Sequence, residues 1–174
     1  MEESYRKLLQ IDGNSYMVEI IHLVGMNTSA PMRELCIREG DGFLLVYSVC
    51  SRTSFQAASK LHAQILQTKE QSANSSSVQT PIMLVGNQID REAERQVSTK
   101  DGQALAAALQ CAFMETSAKS GNNVEKAFVE VVERLIRQRS TQASEEVTSL
   151  PRQRSGRQRS SLLDTLCPWR SSRK

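Results

Sequence analysis

The stretch Ile82-Met83-Leu84-Val85-Gly86-Asn87-Gln88-Ile89-Asp90 decides how this chain is read. Four consecutive apolar residues, admitted by Pro81, suit a strand covered on both faces rather than a half-exposed one. The run ends abruptly in a polar loop. The same pattern returns at Cys111-Ala112-Phe113-Met114, which runs into Glu115-Thr116-Ser117-Ala118-Lys119. One predicted helix, Ser98 to Gln110, lies between them, and Ser98-x-x-Asp101 has the spacing of a capping box. Upstream, Phe43 to Val49 is another continuous apolar run, followed by a helix that Thr53 or Ser54 could cap and that extends to about Lys69. Strands alternating with helices give an α/β fold with a mostly parallel sheet and helices on both faces. Ligands of such sheets bind beyond the carboxyl ends of the strands, where both polar loops fall.

Further out, Tyr5 to Ile11 and Tyr16 to Leu23 read as two strands joined at Asp12-Gly13-Asn14, a strong hairpin signal. Residues 24–42, with Pro31 among them, read as irregular, and the polar, Ser-rich residues 70–80 as a loop. Val124, Ala127, Phe128, Val131, Val132 and Leu135 recur at helical spacing, predicting a helix from Val124 to Arg137. Periodicity stops after Arg139. The Ser-, Arg- and Gln-rich remainder holds too little apolar surface to offset its ordering entropy. The expected division is therefore a folded domain over 1–138 and a disordered basic tail over 139–174.

The 174 residues are 39% hydrophobic and 24% charged, ordinary for a soluble globular domain. Charge is uneven: residues 137–174 carry nine Lys or Arg against three Asp or Glu, while the whole chain is only +3. A basic tail on an acidic body points to an anionic surface. Nucleic acid is disfavoured, because aromatic residues make up only 5%, so a membrane surface fits better. Cys36, Cys50, Cys111 and Cys167 lack metal-ligand spacing and read as reduced thiols. No apolar run reaches the ~20 residues of a membrane span. The expectation is an intracellular, cytoplasmic protein, peripheral at the plasma membrane.

Taken singly, Asn87, Asp90 and Ser117 would pass for turn residues. Jointly, at the ends of two successive strands, they point to a site. Here the chain resembles the Ras family of small GTPases, whose base-recognition loops are Asn-Lys-x-Asp and Ser-Ala-Lys. The second is present as Ser117-Ala118-Lys119, and the first as Asn87-Gln88-Ile89-Asp90 with glutamine for lysine. The resemblance spans about residues 3–138. It takes in the Ile11-Asp12-Gly13 turn, Gly40-Asp41-Gly42-Phe43, Gln96-Val97-Ser98 and Asn123-Val124-Glu125-Lys126-Ala127-Phe128, and is greatest to fungal relatives.

The resemblance implies a three-layer fold of the P-loop NTPase type, a GTP or GDP ligand, and a monomer in signal transduction. A carboxylate at Asp90 can accept from both donors on one edge of guanine, N1–H and the exocyclic amine, and adenine presents the wrong pattern. By resemblance, Asn87 holds the loop and the base edge, Ala118 N–H meets guanine O6, and Lys119 lies along the ring. Gln88 keeps part of the lysine's aliphatic stem without its charge, which implies weaker binding.

Aligned with the family, the chain starts at its second strand, lacking the first strand and first helix. No Gly-x-x-x-x-Gly-Lys-Ser/Thr phosphate loop occurs in the 174 residues. The family's Asp-Thr-Ala-Gly-Gln aligns with His22-Leu23-Val24-Gly25-Met26, so the metal-side aspartate is His22 and the water-positioning glutamine is Met26. Phosphoryl transfer here is almost entirely positioning and charge neutralisation. The expectation is impaired GTP hydrolysis, no catalytic residue, and no ligand set for the family's Mg2+. The absent first strand would sit between strands 16–23 and 43–49, leaving these to face a gap or pair directly.

A non-catalytic interaction module derived from a small GTPase is the alternative. A wrongly assigned start, hiding an intact enzyme, is a third. Cys167-Pro168-Trp169-Arg170 is followed by four more residues, so prenylation at Cys167 is not expected. The basic stretch within 152–174 could meet an anionic leaflet or remain solvated.

Overall fold

The computed structural model describes residues 3–23, 29–72 and 80–149. Met26, Gly25, most of the 70–80 loop, Cys167 and the basic stretch of 152–174 lie outside the described residues.

The chain opens with a hairpin of β1 (Glu3–Ile11) and β2 (Asn14–His22). The ladder is antiparallel and closes with Ile11 opposite Asn14. Asp12 and Gly13 therefore form a two-residue turn, with φ of 49° and 77°. Positive φ at both positions matches the right-handed twist of the flanking strands, and glycine adopts it without steric cost.

Residues 24–42 are not irregular throughout. Ala30–Glu39 form α1, with Pro31 in the first turn. Proline belongs there, because the amide it lacks has no helical partner anyway. Only Ile37 of this helix is buried, which is why its apolar pattern is faint.

β3 (Phe43–Ser48), β4 (Ile82–Asn87) and β5 (Ala112–Glu115) form a parallel sheet in that order. Helix α2 (Arg52–Ser72) joins the first two, running past the expected end at Lys69. A short 3-10 helix (Ile89–Glu94) and α3 (Thr99–Ala108) join the second two. Ser98 caps α3 by accepting from the amide of Asp101, as the capping spacing predicts. α4 (Val124–Ser149) continues beyond Gln138, so the residues just after 138 are helical rather than disordered.

β4 alternates between two cores. Ile82 and Leu84 pack with Leu45, Tyr47, Ala58, Ile65 and Ala106 under α2 and α3, where Ile37 of α1 joins them. Met83 and Val85 pack with Ala127 and Val131 of α4. Helices thus cover both faces, giving the three-layer α/β arrangement with its parallel sheet. Among the described residues β2 and β3 do not pair: hairpin and parallel sheet are separate ladders. The hairpin rests against α4 through β1, where Lys7 reaches Glu125 at 3.0 Å.

Candidate functional site

Parallel β4 and β5 run in register, Gly86 beside Glu115, so their carboxyl ends deliver both polar loops to one place. Backbone hydrogen bonds fix them there. The amide of Thr116 donates to Gly86 O at 2.8 Å, and that of Ile89 to Thr116 O at 3.3 Å.

Asn87 links the loops with one atom. Its Oδ1 accepts from Thr116 Oγ1 at 3.2 Å and from the amide of Ala118 at 3.0 Å. The Ala118 N–H is thus engaged by Asn87 in this structure. The Asn87 amide nitrogen has two protons left to give. Ser117, 1% exposed, donates from Oγ to Asp90 Oδ1 at 2.6 Å and accepts from the amide of Ser120 at 3.1 Å. Asp90 itself lies exposed at the rim. The Ser117 hydroxyl holds its carboxyl below the usual aspartate range, and Lys119 and Arg91 pull the same way. The carboxylate is ionised at neutral pH, with lone pairs available beyond the one that Ser117 uses.

Gln88 adopts φ 72°, ψ 33° and caps the 3-10 helix from a left-handed conformation. Its carboxamide oxygen accepts from Ser48 Oγ. Ser48 Oγ also accepts from the amide of Cys50, at 3.2 Å. β3 is therefore stitched to the loop that follows β4, and the amide of Val49 adds a bond to Asn87 O at 2.9 Å.

The structure brings Asn87, Gln88, Asp90, Ser117, Ala118 and Lys119 to one end of the sheet. Sequence reasoning missed the brace behind them. Arg95 grips Glu115 with Nη1 at 2.7 Å and Nη2 at 3.3 Å, and both side chains are mostly buried, at 16% and 17% exposure. Thr99 Oγ1 also donates to Glu115. This brace ties the exit of the 3-10 helix to the end of β5. Charge-assisted, two-pronged bonds with little solvent are strong, and they raise the affinity of Arg95 for its proton. An arginine just after one loop and a glutamate opening the other was the available signal.

Compared with known protein families, residues 1–137 match the Ras family. The chain belongs to the Ras family. This Ras-family chain is 45% identical over 152 residues to protein ras-2 of Neurospora crassa, covering 80% of the chain and 66% of that protein. It is 45% identical over 156 residues to Ras-like protein 1 of Pyricularia oryzae, covering 83% and 64%. Ras-like protein B of Aspergillus fumigatus is 43% identical over 160 residues, covering 82% and 66%. The chain thus spans about two thirds of the length of these relatives.

Membership implies a guanine nucleotide and Mg2+ in general. The polar end of the sheet suits the base: Asp90 offers an ionised acceptor, and Asn87 lies on the same loop after β4. Among the described residues no three His, Cys, Asp or Glu side chains are grouped to hold a metal ion. His22, exposed at the end of β2, offers imidazole where magnesium prefers oxygen ligands.

Proposed function

We propose that this chain is a Ras-like guanine-nucleotide-binding protein of signal transduction, reading the base through Asp90 and Asn87. The observation that carries this is the doubly fixed carboxylate. Asp90 is ionised and oriented by the buried Ser117 hydroxyl, on a loop that Asn87 joins to Ala118. A preset anionic acceptor favours a ligand edge with two adjacent donors, as guanine has. The Gln88 side chain, neutral and bonded to Ser48, predicts binding weaker than a lysine there would give. GTP hydrolysis is impaired in this reading, because His22 and Met26 replace the aligned aspartate and glutamine. The protein acts as an intracellular monomer, peripheral at the plasma membrane through the basic residues of 152–174.

Titration of fluorescent GDP, with ADP as competitor and with or without Mg2+, tests this reading. GDP should displace the probe roughly 5- to 150-fold better than ADP, since a good bidentate pair contributes about 1–3 kcal/mol of discrimination. Asp90→Asn should erase that preference. Equal competition by GDP and ADP, or no binding at all, would overturn it. The second reading is a non-catalytic module that occupies partners without a nucleotide cycle. The imidazole at His22 favours it, and magnesium-dependent binding at micromolar or tighter affinity would rule it out.

A further inference from the structure

The end of the parallel sheet opposite the base-reading loops holds a crevice of about 270 Å³ between α2, the start of β4, the end of α3 and α4. β4 is six residues long, so at ~3.3 Å per residue the crevice lies roughly 17 Å from Asn87. None of the interactions described for the base loops reaches it.

Its polar lining comprises His62, Thr80, Gln110, Cys111, Arg134, Arg137 and Gln138, with Leu66, Pro81, Ile82 and Leu109 completing the wall. Each of these polar side chains can donate a hydrogen bond, and no carboxylate lines the space. His62 is 7% exposed, more than nine-tenths buried. Among the described residues it has no side-chain hydrogen bond or ion pair, and neither ring nitrogen is both sealed from solvent and unpaired. The ring is therefore largely enclosed by protein, while its nitrogens face solvent rather than a protein partner.

Two cations stand at the rim. Arg134 and Arg137 each bind a glutamate one turn back on α4, both at 2.9 Å. Such exposed pairs are weak, and a guanidinium holds five N–H groups, so donors remain for a ligand. At the end of α3, three backbone carbonyls are already engaged. Leu105 O, Ala106 O and Ala107 O accept from the amides of Leu109, Cys111 and Gln110.

We propose that this crevice binds a small oxyanion, with His62, Thr80 and Arg134 as donors. The volume equals that of roughly nine waters at ~30 Å³ each, enough for a phosphate or a short-chain carboxylate. Leu66 and Leu109 would lie along the organic part of such a ligand.

The chain carries its own control, because its two histidines are His22 and His62. His22 lies exposed at the end of β2, outside the crevice. Inorganic phosphate and butyrate are titrated separately into the full chain, without nucleotide, against sodium chloride of matched ionic strength. The ring signals of both histidines are followed by NMR. The expected result is a saturable shift of the His62 ring with phosphate, butyrate or both, no such shift with chloride, and no saturation at His22. The arm that saturates more tightly identifies the ligand as phosphate-like or carboxylate-like. Arg134→Gln and Thr80→Val should each weaken that binding about tenfold, the loss of one hydrogen bond to a charged group, with unchanged circular dichroism. Calorimetry of His62→Ala provides a readout independent of the ring itself. A linear or absent response at His62, a matching response at His22, or full-affinity binding in Arg134→Gln would overturn the proposal. Guanine binding can fail without touching this result, because no nucleotide enters the experiment.

Discussion

The parallel sheet and the hairpin were built from similar residues under different cover. β4 is buried on both faces, and Met83 and Leu84 are fully enclosed between helices. The hairpin pairs all nine residues of each strand, yet Tyr5, Leu8, Met17 and Ile21 stand about half exposed. Among the described residues of the hairpin, Leu9 and Ile11 are the buried ones. Both regions contain regular paired strands, so strand pairing alone does not make the difference. An isolated two-stranded hairpin is marginal in water, and what stabilises the sheet is apolar area removed from water on both sides. Stability is therefore unequal along the chain, and the candidate base site sits on the stable part.

The largest test of that contrast is a pair of cavity mutations. Leu84→Ala empties a fully buried position and should cost about 3–5 kcal/mol. Ile20→Ala, on half-exposed β2, should cost about 1 kcal/mol. Urea denaturation compares them, and equal losses would mean the hairpin shares the core's cooperativity. Next come two arginines. Arg95→Ala leaves the mostly buried Glu115 without its charged partner, at a cost of about 3 kcal/mol, and should broaden the amide signals of both base loops. Arg6 meets Glu19 at 3.6 Å with both side chains exposed, so Arg6→Ala should change stability by under ~0.5 kcal/mol. A comparable cost for the two would remove the role assigned to the Arg95 brace.

A third substitution acts inside the stable region. The Tyr47 hydroxyl is buried without a hydrogen-bond partner, and burial pushes its pKa up to about 12. It fills a slot left by two glycines: a Cβ on Gly86 would lie 2.8 Å from it, and one on Gly102 2.6 Å. Removing an unsatisfied polar atom should do no harm, so Tyr47→Phe is expected to stabilise the protein by up to ~1 kcal/mol. A thermal unfolding midpoint that falls would show that the hydroxyl has a partner after all.

These contrasts also explain what the sequence made legible. The buried strands and the Asp12-Gly13 turn were readable because each carries its own signal: a continuous apolar run, and residues suited to positive φ. α1 escaped because one buried residue, Ile37, makes no periodic stripe. Ser29 and Pro31 before the run were the overlooked start signal. The end of α4 escaped because helix continues where apolar periodicity has stopped. At the site, residue identities at the strand ends were readable, but their couplings were not. The Ser48 bond to Gln88 joins positions 40 apart in sequence, and the Arg95 bond to Glu115 joins positions 20 apart. No local pattern encodes contacts that the parallel register creates.

The smallest effect is the most specific to the site. The Asp90 carboxyl is held below its usual range chiefly by the Ser117 hydroxyl. Its folded pKa is thus depressed relative to the unfolded chain. The sign follows: what the ionised form contributes is present above the ordinary aspartate range and lost as pH falls through the depressed folded value. Asp90 is exposed, so the consequence is expected in ligand binding far more than in global stability. Ser117→Ala removes the main cause and lets the carboxyl titrate nearer its ordinary range. The acid limb of GDP binding should then move to higher pH, and the Asp90 carboxyl carbon should show the same displacement by NMR. Signals of β1 and β2 should not move, since none of the hydrogen bonds and ion pairs described for the hairpin involves this pair. An acid limb unchanged in Ser117→Ala would show that another group sets the protonation state of the base-reading carboxylate. A limb that moves together with the hairpin signals would mean that the two regions respond as one body.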